Sequence, residues 1–144
     1  MKWSHKGVEV EDLPPGVIGF VYVLHYEDGY YYVGKKTART YRKKHFGKKK
    51  LATITDKRLK TYEMVEKELP WRDYEGSTDN SDGHTLVSKE IIYMCTNKMS
   101  MTYLEADLQF KNKVLFDEKS LNKNILGKFY DNALEGVYIE KSKT

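Results

Sequence analysis

The sequence predicts one α/β domain, a small central sheet of three main strands flanked by three or more helices. Two observations point there. Two short runs of β-branched and aromatic residues are separated by an Asp-Gly turn signal, and helical spacing appears further along the chain. A third sets the size: 144 residues leave room for one real hydrophobic core and little for a second domain.

Residues 1–16 are polar, contain Pro14-Pro15, and read as an arm leading into a domain expected over residues 17–140. Ile18 to Tyr26 is the first strand and Tyr30 to Val33 the second, joined through Glu27-Asp28-Gly29 as a β-hairpin. Gly34 ends the second strand. Thr37 to about His45 is polar and free of proline, and reads as a helix. Residues 48–57 carry no clear pattern. Leu59, Tyr62, Val65 and Leu69 fall at helical spacing up to Pro70, which predicts a second helix over 57–69. Trp71 to Gly76 reads as a short strand and 77–84 as a loop. A calcium loop is rejected there, because the register counted from Gly83 puts Thr78 at the first ligand position and Lys89 at the closing one. Val87 to Cys95 is the third strand, and Thr102 to about Leu115 the clearest helix. Ile125 and Phe129 pack the last ordered segment, and the charged tail after Glu140 frays.

Composition excludes several classes. No run of about eighteen apolar residues exists, so no membrane span is expected, and the first residues lack the apolar stretch of a secretory signal. Cys95 is the only cysteine. It permits no internal disulfide, suits a reducing compartment and reads as a small core residue. The net charge of +4 is modest, but its distribution is uneven. Lys35 to Lys50 holds nine Lys or Arg and no acid, whereas Thr61 to Glu90 holds eight acids and three bases. A basic block of this kind is the footprint of a polyanion-binding face, or else a solvated flank.

Standard catalytic templates fail. The four histidines (His5, His25, His45, His84) are scattered, and no phosphate-cradling glycine loop or dinucleotide fingerprint is present. What remains is tyrosines, an arginine, a glutamate and an asparagine in a particular order. Phe20-Val21-Tyr22 and Tyr32-Val33-Gly34 lie on the two strands of the expected hairpin. Arg42 follows Gly34 by eight residues, and Thr102-Tyr103-Leu104-Glu105 and Asn122 come later. This arrangement resembles the GIY-YIG nuclease family, most closely its Seg-like phage branch, in which Tyr74-Glu75-Gly76-Ser77 also has a counterpart. The resemblance spans roughly residues 18–130. Phe20 replaces the family's usual glycine, and the spacing from Tyr22 to Tyr32 is short.

The resemblance implies a GIY-YIG-like fold and a divalent-metal-dependent endonuclease acting on DNA, with Mg²⁺ or Mn²⁺ as cofactor. Tyr22 and Tyr32 would reach one phosphate, Tyr22 helping to activate the attacking water. A phenol of ordinary pKa near 10 needs a nearby cation for that. Arg42 would stabilise the developing charge through its planar fork. His45, Lys35 and Lys36 are candidates to shuttle a proton or hold phosphate, although His45 stands one step before the family's position. Arg39, Lys43 and Lys44 extend the expected nucleic-acid face. Glu105 would hold the metal, unless Thr102-x-x-Glu105 is a capping box that simply opens a helix. Asn122 would orient Glu105 or a phosphate, with Asn124 as the fallback. Two core tyrosines, a solvated arginine and a turn asparagine are the plainer alternatives. A binding module on the same fold without catalysis is the rival function. The implied setting is the cytoplasm, that of the host cell if a bacteriophage encodes the chain.

Overall fold

The computed structural model describes residues 1–56, 58–76 and 83–134. Residues 77–82 of the expected loop and the tail after Glu140 lie outside them. Among the described residues no helix is long and apolar enough to cross a membrane.

The three expected strands form the middle of the sheet. β3 (Gly19–Tyr26) pairs antiparallel with β4 (Tyr31–Thr37) on one side and with β7 (Leu86–Cys95) on the other. The turn between β3 and β4 closes where expected, with Gly29 at φ +84°, a conformation glycine adopts at little cost. Opposite Tyr22, β7 carries a bulge: Val21 faces Tyr93 but Tyr22 faces Ile91. The extra residue lets β7 keep Ile91 on the Tyr22 face and increases the local twist.

The sheet has five strands because the expected arm belongs to it. β1 (Trp3–His5) runs parallel to β7, and β2 (Val8–Glu9) pairs with β1 at the edge. The physical reason is Trp3. Its ring is buried edge-on against Phe20 and Tyr22, and its indole N–H donates to the Trp71 carbonyl at 2.8 Å. Burying that much aromatic surface outweighs the ordering of a few polar neighbours.

Two expected helices are strands. Residues 39–45 form β5 (Arg39–His45) and residues 62–68 form β6 (Tyr62–Glu68), an antiparallel pair that shares no ladder with the central sheet. Charge explains it. The basic run supplies β5 and the following acidic run supplies β6, so Lys44 stands opposite Glu63, Tyr41 opposite Glu66 and Arg39 opposite Glu68. Of the helices, α1 (Lys48–Ala52) is a short turn of lysines, and α2 (Lys98–Lys111) is the one substantial helix among the described residues. Trp71 to Gly76 is a turn rather than a strand. β8 (Asn124–Ile125) and β9 (Phe129–Tyr130) form a small ribbon near the end, where Ile125 is buried and Phe129 is exposed.

The sheet's two faces bury different cores. Trp3, Phe20, Tyr22, Leu24, Trp71 and Ile91 pack on one. On the other, α2 sets Met101 against Val21 and Cys95, while Ala106 joins Val33, Leu115 and Ile125.

Candidate active site

Tyr22, Tyr32 and Gly34 lie on one face of the β3–β4 pair, with Tyr22 directly opposite Gly34. Tyr22 is 1 % exposed, and its ring is 6.3 Å from that of Tyr32 and 6.1 Å from that of Tyr74. Its hydroxyl lies over Gly34, where a Cβ would come within 2.5 Å of it. The glycine is therefore needed for space.

Tyr74 completes the group, and sequence reasoning did not single it out as a site residue. Its ring meets that of Tyr22 edge-on, and the Lys36 ammonium sits 4.6 Å above it. Lys89 holds the turn that presents it. This lysine is 1 % exposed on β7, and its ammonium donates to the carbonyls of Arg72 (2.9 Å) and Tyr74 (2.8 Å) while lying 4.6 Å over the Trp3 ring. Burial lowers its pKa. A lysine in an otherwise apolar strand face, and a tyrosine two residues before a glycine, were the available signals.

Glu105 reaches this group from α2. The helix starts at Lys98, capped by Asn97, whose side-chain oxygen accepts from the Ser100 N–H at 2.7 Å. Thr102 and Glu105 consequently lie inside the helix, and the capping-box alternative fails. The Thr102 hydroxyl accepts instead from Lys35 at 2.7 Å. The Glu105 carboxylate is half-buried and makes no hydrogen bond or ion pair with a described residue. Burial raises its pKa, and the nearby Lys35 charge only partly offsets this. Glu105 in turn acts on both tyrosines. Burial is the main cause of the raised Tyr22 and Tyr32 phenol pKa values, and Tyr74 and the Glu105 charge add to it in both. Both phenols are thus protonated at neutral pH.

The other candidates stand elsewhere. Arg42 and His45 are on the β5–β6 hairpin, not on a helix, exposed and outside the tyrosine group. His45 faces Tyr62 across that hairpin. Lys43 lies 4.5 Å over the Tyr62 ring, and Lys44 is exposed beside it. Arg39 is spent on structure. Its guanidinium donates to the carbonyls of Leu13, Pro14 and Val17 and pairs with Glu66 at 3.2 Å. Asn122 is buried, accepts from the Val33 N–H at 3.0 Å and donates to the Val33 carbonyl at 2.8 Å. It satisfies the open edge of β4 as a neighbouring strand would, and so has little left to offer a phosphate or Glu105. Asn124 caps the following turn by accepting from the Gly127 N–H.

Two tyrosines on adjacent strands, a spacing glycine between them and a helix glutamate beside them make the arrangement that the sequence order suggested. Over residues 3–133 the chain matches the model of a protein family described as "Putative endonuclease segE, GIY-YIG domain". The chain belongs to this family. The match begins at Trp3, so the GIY-YIG domain takes in the first strand as well as the hairpin. No curated protein and no solved structure gives a match. Membership in a family of endonuclease domains makes nucleic-acid cleavage the general activity to be explained.

Proposed function

We propose that this GIY-YIG domain is a divalent-metal-dependent endonuclease that hydrolyses DNA phosphodiester bonds at the cluster of Tyr22, Tyr32, Tyr74 and Glu105. The observation that carries the reading is the Glu105 carboxylate, half-buried near Tyr22 and Tyr32 and lacking a hydrogen-bond or ion-pair partner among the described residues. A carboxylate in that state is short of a cation. Mg²⁺ and Mn²⁺ suit it, because Mg²⁺ binds through one or two carboxylates and keeps several waters. No group of three His, Cys, Asp or Glu occurs among the described residues, so Glu105 would share the ion with water and phosphate oxygens. When bound, the ion supplies charge that polarises the scissile phosphate and lowers the pKa of a coordinated water.

The chain's own groups then position the reactants. Tyr32 and Tyr74 are half-buried and offer hydroxyls to a phosphate oxygen or to the attacking water. Tyr22, protonated at neutral pH, acts first as a hydrogen-bond donor. It could take the water's proton only after giving up its own, and a nearby cation would have to offset its burial for the phenolate to form. Lys36 above Tyr74 and Lys35 beside Thr102 meet the phosphate charge at the rim. In-line attack by water yields a nick without a covalent intermediate. The setting that fits the family and the single buried thiol is the cytoplasm.

The test is cleavage of supercoiled plasmid with Mg²⁺ or Mn²⁺ by the wild type, Glu105→Gln and Tyr22→Phe. Metal-dependent nicking, lost in Glu105→Gln and reduced in Tyr22→Phe, supports the reading. Undiminished nicking by Glu105→Gln overturns the role of Glu105. The burial of Tyr22 favours a second reading, a module that binds DNA without cutting it. Salt-sensitive binding with no nicking under any metal would select that alternative.

A further inference from the structure

The β5–β6 hairpin is the part of the fold that the tyrosine–glutamate cluster leaves unused. None of its residues is buried, and a free two-stranded hairpin is marginal in water. Its root is nevertheless fixed. The N–H groups of Ala38 and Arg39 both donate to the Ile18 carbonyl (2.7 and 2.9 Å), and the Leu69 N–H donates to the Ala38 carbonyl (2.8 Å). The Arg39 fork ties the same point to the loop before β3. The hairpin is an arm on a firm base.

Alternation along the strands sorts its side chains into two faces. On one face the charges are largely satisfied: Arg39 pairs with Glu66, and Lys43 lies over Tyr62. The other face carries Thr40, Arg42 and Lys44 opposite Lys67, Val65 and Glu63. The side chains of Arg42, Lys44 and Lys67 make no ion pair, hydrogen bond or ring contact with any described residue. Three cations against one acid on one side of a narrow ribbon repel each other and weaken the pairing. A polyanion would remove that penalty.

We infer that the β5–β6 hairpin is a ribbon that enters the major groove of duplex DNA, its Arg42–Lys44–Lys67 face against the phosphates, and so holds the substrate beside the cleavage site. The inference rests on the proposed function for its substrate. A major groove about 12 Å wide admits a two-stranded ribbon. Seven residues at about 3.4 Å each give an arm of about 24 Å, long enough to cross the groove. Single-stranded substrates are bound through aromatic platforms within a cationic groove, and the Arg42 face carries no aromatic ring.

The test compares two triple variants, both in a Glu105→Gln background so that nothing is cut. One is Arg42→Gln, Lys44→Gln, Lys67→Gln. The other, Lys6→Gln, Lys98→Gln, Lys128→Gln, removes the same charge at exposed positions off the ribbon. Binding of a labelled duplex is followed by anisotropy against salt. Three lost phosphate contacts should make the slope of log affinity on log salt shallower by about 2.7, with much less change in the control. Glutamine relieves the repulsion, so the hairpin should stay paired, and circular dichroism checks that it does. Equal effects of the two triples, or tighter binding to single strands or RNA than to duplex, would overturn the inference. If the wild type nicks plasmid while the ribbon triple keeps its slope, the ribbon alone is wrong. If the wild type neither nicks nor binds, the ribbon and the proposed function both fall.

Discussion

The hydroxyl of Tyr22 occupies the space that a side chain on Gly34 would need. A Cβ there would lie 2.5 Å from the Tyr22 Oη, 2.7 Å from its Cζ and 2.9 Å from Cε1 of Tyr32. Gly34→Ala should therefore cost about 1–3 kcal/mol by overpacking and displace both tyrosines. Adding Tyr22→Phe should return part of that stability, because it removes the closest contact. A double-mutant cycle by denaturant unfolding reads the coupling, and strictly additive effects would refute it.

Tyr22, Tyr31 and Tyr32 all have raised phenol pKa values, chiefly through burial. Such a group holds its proton longer in the folded state than in the unfolded one. Its contribution is therefore present below the unfolded value near 10 and is lost as pH rises beyond it. Tyrosinate absorbance should show some of the twelve tyrosines titrating freely, while these three wait for alkaline unfolding. Tyr22→Phe should move the midpoint of that unfolding to higher pH. A reversible titration of all twelve below the unfolding pH would contradict the burial.

Glu105 gives a prediction of the same sign in a lower pH range. Its carboxyl has a raised pKa in the fold, so stability falls as pH climbs out of the acid range and its charge forms. Glu105→Gln should then melt higher than wild type at neutral pH and lose that advantage in acid. Cleavage should fall on the order of a thousandfold, from losing several kcal/mol of charge stabilisation at the phosphate. Thermal melts at two pH values, run beside the plasmid assay, test both halves. A drop in melting temperature at neutral pH would show that the carboxylate is satisfied by a partner.

Asn122 separates a structural role from a substrate-binding one. Asn122→Ala leaves the Val33 N–H of the β4 edge without its partner, which should cost about 1–3 kcal/mol. Gln109 still donates to the Val33 carbonyl at 3.2 Å, so that acceptor is not abandoned. Unchanged stability combined with weaker DNA binding would return Asn122 to the phosphate.

Legibility in the sequence followed the range of the interaction that decides each element. β3, the Gly29 turn, β4 and β7 were readable because apolar alternation and turn chemistry are local. The α2 helix was readable in existence, though its start was placed four residues late because the Asn97 cap competes with the Thr102–Glu105 signature. The β5–β6 hairpin is illegible because both strands are polar and half-exposed or exposed, so no apolar alternation marks them. The same logic holds at the site. Tyr22, Tyr32 and Glu105 converge, whereas Arg42 and His45 leave with the hairpin. Tyr74 and Lys89 meet the site only through a buried ammonium bonded to backbone carbonyls, which no spacing rule encodes.

β1 lies against β7 with partners 86 positions apart, Trp3 beside Lys89 and His5 beside Ile91. β1 can therefore pair only after the 86 positions that separate it from its partners have been made. Until then the outer edge of β7 stands open, with backbone donors that another copy could capture. Deleting the first five residues would leave that edge open permanently and uncover the ring of Tyr22.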